Sequence, residues 1–220
     1  MGAIAPRVLF QPSPPVSKKL LLALGLSAVS LLAQAGPVNL INNGSFEANA
    51  QGNGSWAIYP NLVGWTGGAY GVELRDNVAG KAFDGLNFVE LDTTRNSSIS
   101  QTFTTLVGAT YHLSFMWANR PDHRGAASNG INWQLGALDG VVGANNTTAW
   151  TKFEQDFVAT GTSTTLRFSA VGASDGMGTS LDAVAVTQVA SPKSSVPEPG
   201  SLALLAGAAA ALGLARRRKA

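Results

Sequence analysis

Cysteine is absent from all 220 residues. That excludes a disulfide framework, a thiol nucleophile and any cysteine-ligated metal site. Histidine is almost as scarce: His112 and His123 are the two in the chain, too few for a His-rich zinc site or a His-centred catalytic apparatus. Charged residues make up 13% of the sequence. No glycine run has the P-loop spacing that cradles phosphate. Between the two ends of the chain no stretch shows a convincing helical period, and no internal repeat is visible. What remains is rich in Gly, Asn, Ser and Thr, with short β-prone runs between turn clusters.

The two ends read as targeting segments. Lys18 and Lys19 precede the apolar run Leu20 to Leu32, and Ala33-Gln34-Ala35 offers an A-x-A cleavage site. This predicts a secretory signal peptide over residues 1–35. At the other end Pro197-Glu198-Pro199 is followed by an uncharged Leu/Ala-rich run from Gly200 to Ala215, then by Arg216, Arg217, Arg218 and Lys219. As a helix that run would be roughly 24 Å long at 1.5 Å per residue, slightly short of a bilayer core of about 30 Å. The basic cluster would hold its end on the cytoplasmic side. The two prolines would keep the helix from running back into the preceding linker, residues 191–199. Motif, apolar run and basic cluster in this order resemble the PEP-CTERM sorting signal of bacterial surface proteins. The resemblance implies an exosortase-type transpeptidase as partner, transient anchoring in the inner membrane and delivery to the cell surface or extracellular matrix. An ordinary, uncut tail anchor is the plainer alternative.

With both ends set aside the charge balance reverses. Between Gly36 and Ser195 eight Lys/Arg stand against twelve Asp/Glu, a net of −4, although the whole chain is +2. The basic isoelectric point belongs to the targeting segments and gives no support to nucleic-acid binding. The intervening ~160 residues are one domain's worth of chain.

That domain, residues 36–190, is expected to be all-β. The clearest strand is Thr110 to Ala118, with Tyr111, Leu113, Phe115 and Trp117 on one face and His112, Ser114 and Met116 on the other. Further strands are expected at Asn87–Leu91, Ser98–Phe103, Ile131–Leu135, Lys152–Ala159, Thr164–Ala170 and Ser180–Val186. Turns are expected at Asn43-Gly44, Asp84-Gly85, Asn129-Gly130, Asp139-Gly140 and Asp175-Gly176. The spacing predicts an antiparallel β-sandwich or jelly roll. Asn39-Leu40-Ile41-Asn42-Asn43-Gly44-Ser45-Phe46-Glu47, then Gly64-Trp65, Phe88-Val89-Glu90-Leu91-Asp92, Ile99-Ser100-Gln101-Thr102-Phe103, Tyr111-His112-Leu113-Ser114-Phe115, Trp150 and Leu181-Asp182-Ala183-Val184 follow one another in an order similar to the DUF642 / choice-of-anchor-C type of galactose-binding-like domain. The resemblance implies a jelly-roll fold, an extracytoplasmic place and contact with glycans. It also implies a structural calcium held by Glu47 and Asp182, the carboxylates at two of these motif positions, with backbone oxygens. The alternative is that Glu47 caps a turn and Asp182 bonds neighbouring amides.

Glycan contact requires exposed aromatic faces flanked by polar groups. Trp56, Tyr59 and Tyr70 are expected in polar, Gly-rich loops and are the contact candidates, with Arg120 in a rim loop able to bond hydroxyls or acidic sugars; Arg75 could do the same, although such arginines more often form surface ion pairs. Trp65 and Trp117 are expected in the core. Glu90 with Asp92, and Glu154 with Asp156, share strand faces at a spacing that two glycosidase carboxylates could use. Acidic residues on a solvated strand face are the commoner case. The sequence therefore favours a secreted, non-catalytic polysaccharide-binding sandwich. A structural or adhesive matrix protein is the alternative, and a glycoside hydrolase a distant third.

Overall fold

The computed structural model describes residues 38–192; the leader, most of the linker and the apolar tail lie outside the described residues. Thr110–Ala118 forms a strand as its alternation requires, with Tyr111, Leu113, Phe115 and Trp117 all buried on one face. It is the seventh of twelve strands among the described residues, which contain no helix. These are β1 (Ser55–Tyr59), β2 (Asn61–Leu62), β3 (Trp65–Gly67), β4 (Val72–Asp76), β5 (Asn87–Glu90), β6 (Ser98–Thr104), β7 (Thr110–Ala118), β8 (Ile131–Leu135), β9 (Leu138–Val142), β10 (Thr151–Val158), β11 (Ser163–Ala170) and β12 (Ser180–Ala190).

They build two antiparallel six-stranded sheets, ordered β1-β4-β5-β12-β7-β10 and β2-β3-β6-β11-β8-β9. Period-two patterning gives each strand one apolar face, and the two apolar faces meet in a single core between Ile41 and Val186. Phe115 from the first sheet lies edge-on to Phe168 from the second, with ring centroids 4.9 Å apart, and stacks on Phe153 at 4.8 Å. Trp65, Trp117 and Trp133 are core residues. The opening segment is tied to the last strand: Leu40 N donates to Val186 O, and Val186 N donates to Asn39 Oδ1. Gly44 passes so close to that strand that an added Cβ would stand 2.0 Å from Val184 O.

At Asp139-Gly140 the expected turn is not a turn. The pair lies inside β9, and the chain reverses at Gly136-Ala137 instead. Gly140 is opposite Trp133, and a Cβ there would meet the indole at 2.9–3.0 Å. The glycine makes room for a large ring rather than bending the chain.

The outer faces of the sheets differ. That of the second sheet is a solvated row including Thr102, Thr104, Thr165 and Arg167, with the Thr102 and Thr165 hydroxyls 2.8 Å apart. That of the first sheet carries buried charges under surface loops.

Candidate functional site

β4 is buried along its whole length although it reads Val-Glu-Leu-Arg-Asp. Val72 and Leu74 enter the core, so Glu73 and Arg75 point to the outer face. There β1 places Ile58 opposite Glu73 and Trp56 opposite Arg75, while β5 places Glu90 opposite Glu73 and Phe88 opposite Arg75. Arg75 Nε donates to Glu73 Oε1 at 2.6 Å, and Arg75 Nη2 donates to Glu90 Oε2. Glu90 Oε1 accepts the Gly178 amide at 2.5 Å. From the rim loop Arg120 Nη1 lies 3.5 Å from Glu90 Oε2, and Arg120 holds Asp122 through Nε and Nη2 at 3.0 and 2.9 Å. Two guanidinium groups and three carboxylates thus form one continuous chain. Burial lowers the Arg75 pKa from its ordinary value, opposed by the charge and hydrogen bond of Glu73. The hydrogen bond from Arg120 holds Asp122 below the usual carboxylate range.

Loops complete the walls. Asp92 Oδ2 accepts the amides of Asp175, Gly176 and Met177 at 3.0, 3.0 and 3.3 Å, and Ser174 Oγ donates to Oδ1, which fixes the loop before β12. On the other side Asn77 and Ala79 hold positive φ of 52° and 54°, a conformation that costs a non-glycine residue about 1 kcal/mol or more. Between these loops lies a cleft of about 290 Å³ lined by Trp56, Ile58, Glu73, Arg75, Arg120 and Gly176 among others. Ile58 and Thr94 continue it into a shallower depression that holds Tyr70. On its other flank Ala79 separates it from a cleft of about 230 Å³ containing Phe88 and Trp150. Trp150 Nε1 donates to Lys81 O at 2.9 Å, pinning the dividing loop.

Three of the four expected contact residues thus border one continuous surface. Trp56 is 55% exposed and Arg120 lies in the same cleft; Tyr70, 40% exposed, borders the adjoining depression. Trp56 stands on strand β1, not in a loop. Arg95 lies 5.6 Å from the Tyr70 ring centroid and covers one of its faces. Tyr59 is placed elsewhere. Its parity on β1 turns it to the core side, where it packs against the core and donates its hydroxyl to Gln51 Oε1 at 2.9 Å. Sequence reasoning named no role for Glu73 and weighed Arg75 only in passing; the signal was an alternating Glu-x-Arg inside a run of Val and Leu. Glu90 and Asp92 are fully buried, bonded to Arg75 and to loop amides, and form no open carboxylate pair. Glu154 and Asp156 are exposed and flank His112, whose Nδ1 is 2.6 Å from Asp156 Oδ1 and Nε2 3.2 Å from Glu154 Oε1.

Glu47 and Asp182 converge on one loop. Glu47 Oε1 accepts the amides of Leu86 and Asn87, and Asp182 Oδ2 accepts those of Phe83 and Asp84. Asp84 itself accepts from Ser45 Oγ. Burial pushes the Asp182 carboxyl up to about 7, against the lowering effect of its amide bonds. These oxygens are of the kind calcium takes, while the amides are their partners here. Among the described residues no group of three or more acidic or histidine side chains is arranged around a metal position.

Residues 195–219 match the family model of the PEP-CTERM protein-sorting motif, as the three-part tail leads one to expect. A search of curated proteins finds no match. Among solved structures the chain is similar to TmCBM61 in complex with β-1,4-galactotriose, at 18% identity and a TM-score of 0.49, covering 69% of this chain and 99% of that one. It is also similar to a family 16 carbohydrate-binding module, at 15% identity and a TM-score of 0.47, covering 68% and 99%. A third is a family 35 carbohydrate-binding module from Clostridium thermocellum, at 22% identity and a TM-score of 0.39, covering 60% and 97%.

Proposed function

We propose that this chain is a secreted, surface-sorted protein whose β-sandwich binds polysaccharide at the outer face of its first sheet and catalyses no reaction. The observation that carries the reading is the cleft in which exposed Trp56 stands directly across from the buried Arg75–Glu73 pair. An indole face offers flat apolar area for a sugar ring, and a fixed ionic pair beneath it supplies directed hydrogen bonds. The depression at Tyr70 and the cleft at Trp150 extend the surface on both flanks, which suits a polymer. The carboxylates beneath the cleft are tied to arginines and amides, an arrangement for holding rather than for proton transfer.

The sorting motif supports passage through the inner membrane, removal of the tail by an exosortase-type transpeptidase and release to the surface or matrix. A calcium ion at Glu47 and Asp182 belongs to the same reading, supported by the two carboxylates reaching the amides of one loop, Phe83 to Asn87. It would brace the loop that leads from the dividing segment into β5. A glycan-array screen of the full chain, with and without calcium, tests the reading. Retention on a restricted set of glycans is expected; an empty array in both conditions overturns it.

A further inference from the structure

The floor of the Trp56 cleft holds one polar group that is not satisfied. Arg75 is 1% exposed, and of its donor nitrogens Nε goes to Glu73 and Nη2 to Glu90, while Nη1 is buried without an acceptor. Leaving such a guanidinium N–H unpaired is costly, and its neighbours have had every chance to satisfy it. Beside it Glu73 Oε1 is taken by Arg75, and its second oxygen makes no hydrogen bond among the described residues. A buried unpaired donor on Arg75 and an unengaged carboxylate oxygen on Glu73 thus belong to two residues that line one cleft open to a ligand.

The charge of that cleft is already spent. Arg75 and Arg120 supply two positive charges; Glu73, Glu90 and Asp122 supply three negative ones, all within one connected chain of contacts. A ligand carboxylate or sulfate entering here would find both guanidiniums neutralised and the Glu73 carboxylate beside it. Sugar hydroxyls would find the opposite: one can accept from Arg75 Nη1, and another can donate to the free Glu73 oxygen.

Resting on the glycan-binding reading above, we infer that Arg75 and Glu73 are the specificity-determining pair of the cleft, that they read sugar hydroxyls, and that the ligand is a neutral rather than an acidic polysaccharide. Trp56, paired with Arg75 across β1 and β4, supplies the stacking face beside them, and Arg120 acts through Glu90 and Asp122 as a positioning residue.

The test is affinity electrophoresis of the full chain in mild detergent through gels containing neutral polymers (β-glucan, galactan, xylan) or polyuronates (alginate, polygalacturonate). Retardation by at least one neutral polymer and by neither polyuronate is expected. Glu73→Gln keeps the side-chain volume and is expected to weaken that retardation about tenfold or more, since a hydroxyl loses a charged acceptor. Arg75→Lys, which keeps the charge but removes the Nη1 fork, is expected to do the same; a thermal melt of each variant separates lost binding from lost folding. Retardation by polyuronates that Glu73→Gln strengthens overturns the neutral-ligand inference. Neutral binding that a folded Glu73→Gln variant retains in full overturns the role of the pair while leaving glycan binding intact. Mobility unchanged in every gel overturns the glycan reading itself.

Discussion

Arg75 Nη2 and Glu90 Oε2 pair across neighbouring strands with both side chains sealed from solvent. Removing Glu90 strips the buried Arg75 Nη2 of its acceptor and leaves Glu73 as the one carboxylate holding that charge. Glu90→Ala is therefore expected to cost about 3–5 kcal/mol of stability. A double-mutant cycle with Arg75→Met checks this. The sum of the two single losses should exceed the double loss, because the Arg75–Glu90 contact is lost in either single variant and is counted once in the double. Additive losses would show that the two residues do not depend on each other.

His112 stands on the open part of the same sheet face. Its hydrogen bond to Asp156 raises its pKa above 6.5, with a further contribution from Glu154. A raised histidine contributes stability that is fully present below its unfolded pKa and is lost as pH rises through the folded value. Stability supplied by this cluster should therefore decline as pH is raised above 6.5. Because the partners are exposed, its size should be at most about 1 kcal/mol. An NMR titration of the His112 ring should give a pKa above that of a free histidine, and Asp156→Asn should return it. A titration that Asp156→Asn leaves unmoved would contradict this assignment.

Calcium held by Glu47 and Asp182 should stabilise the fold by binding the native state alone. At 100 times its Kd a ligand of that kind adds about 2.7 kcal/mol. Melting should fall on chelation, and Asp182→Ala should abolish the difference. Identical melting in EDTA and in calcium removes the ion from the account.

Sorting at the motif in residues 195–219 should remove the basic end of the chain. Intact-mass analysis of the surface-located protein should show a species lacking Arg216 to Lys219. A mature species that still carries those residues contradicts processing.

Much of the sandwich was legible because its central strands alternate cleanly. β7, β8 and β11 carry aromatic or branched apolar residues at every second position, and β5, β6, β10 and β12 also fall where strands are expected. β1 and β4 were not found, and the reason is the site itself. β1 turns Trp56 and Ile58 outward to line a cleft, so the polar half of its pattern is missing, and β4 alternates over only five residues, with Glu73 and Arg75 outward. Trp56 and Arg120 could be nominated from glycine-rich and charged surroundings. Tyr59 could not be told from Trp56 without the parity of β1, which sends residues three apart to opposite faces. The buried pairing of Arg75 with Glu73 and Glu90 depends on the β4–β5 register, which a single sequence does not reveal.

The contrast between Trp56 and Tyr59 gives the most direct test of glycan binding at this face. Titration calorimetry with a glycan retained on the array, run beside thermal melting, should show Trp56→Ala losing about 30-fold in affinity, some 2 kcal/mol, with little change in melting. Tyr59→Ala should do the reverse, melting earlier while a folded sample binds like wild type. A Trp56→Ala variant that binds as tightly as wild type would contradict the account, because the exposed indole opposite Arg75 would then not be the sugar platform.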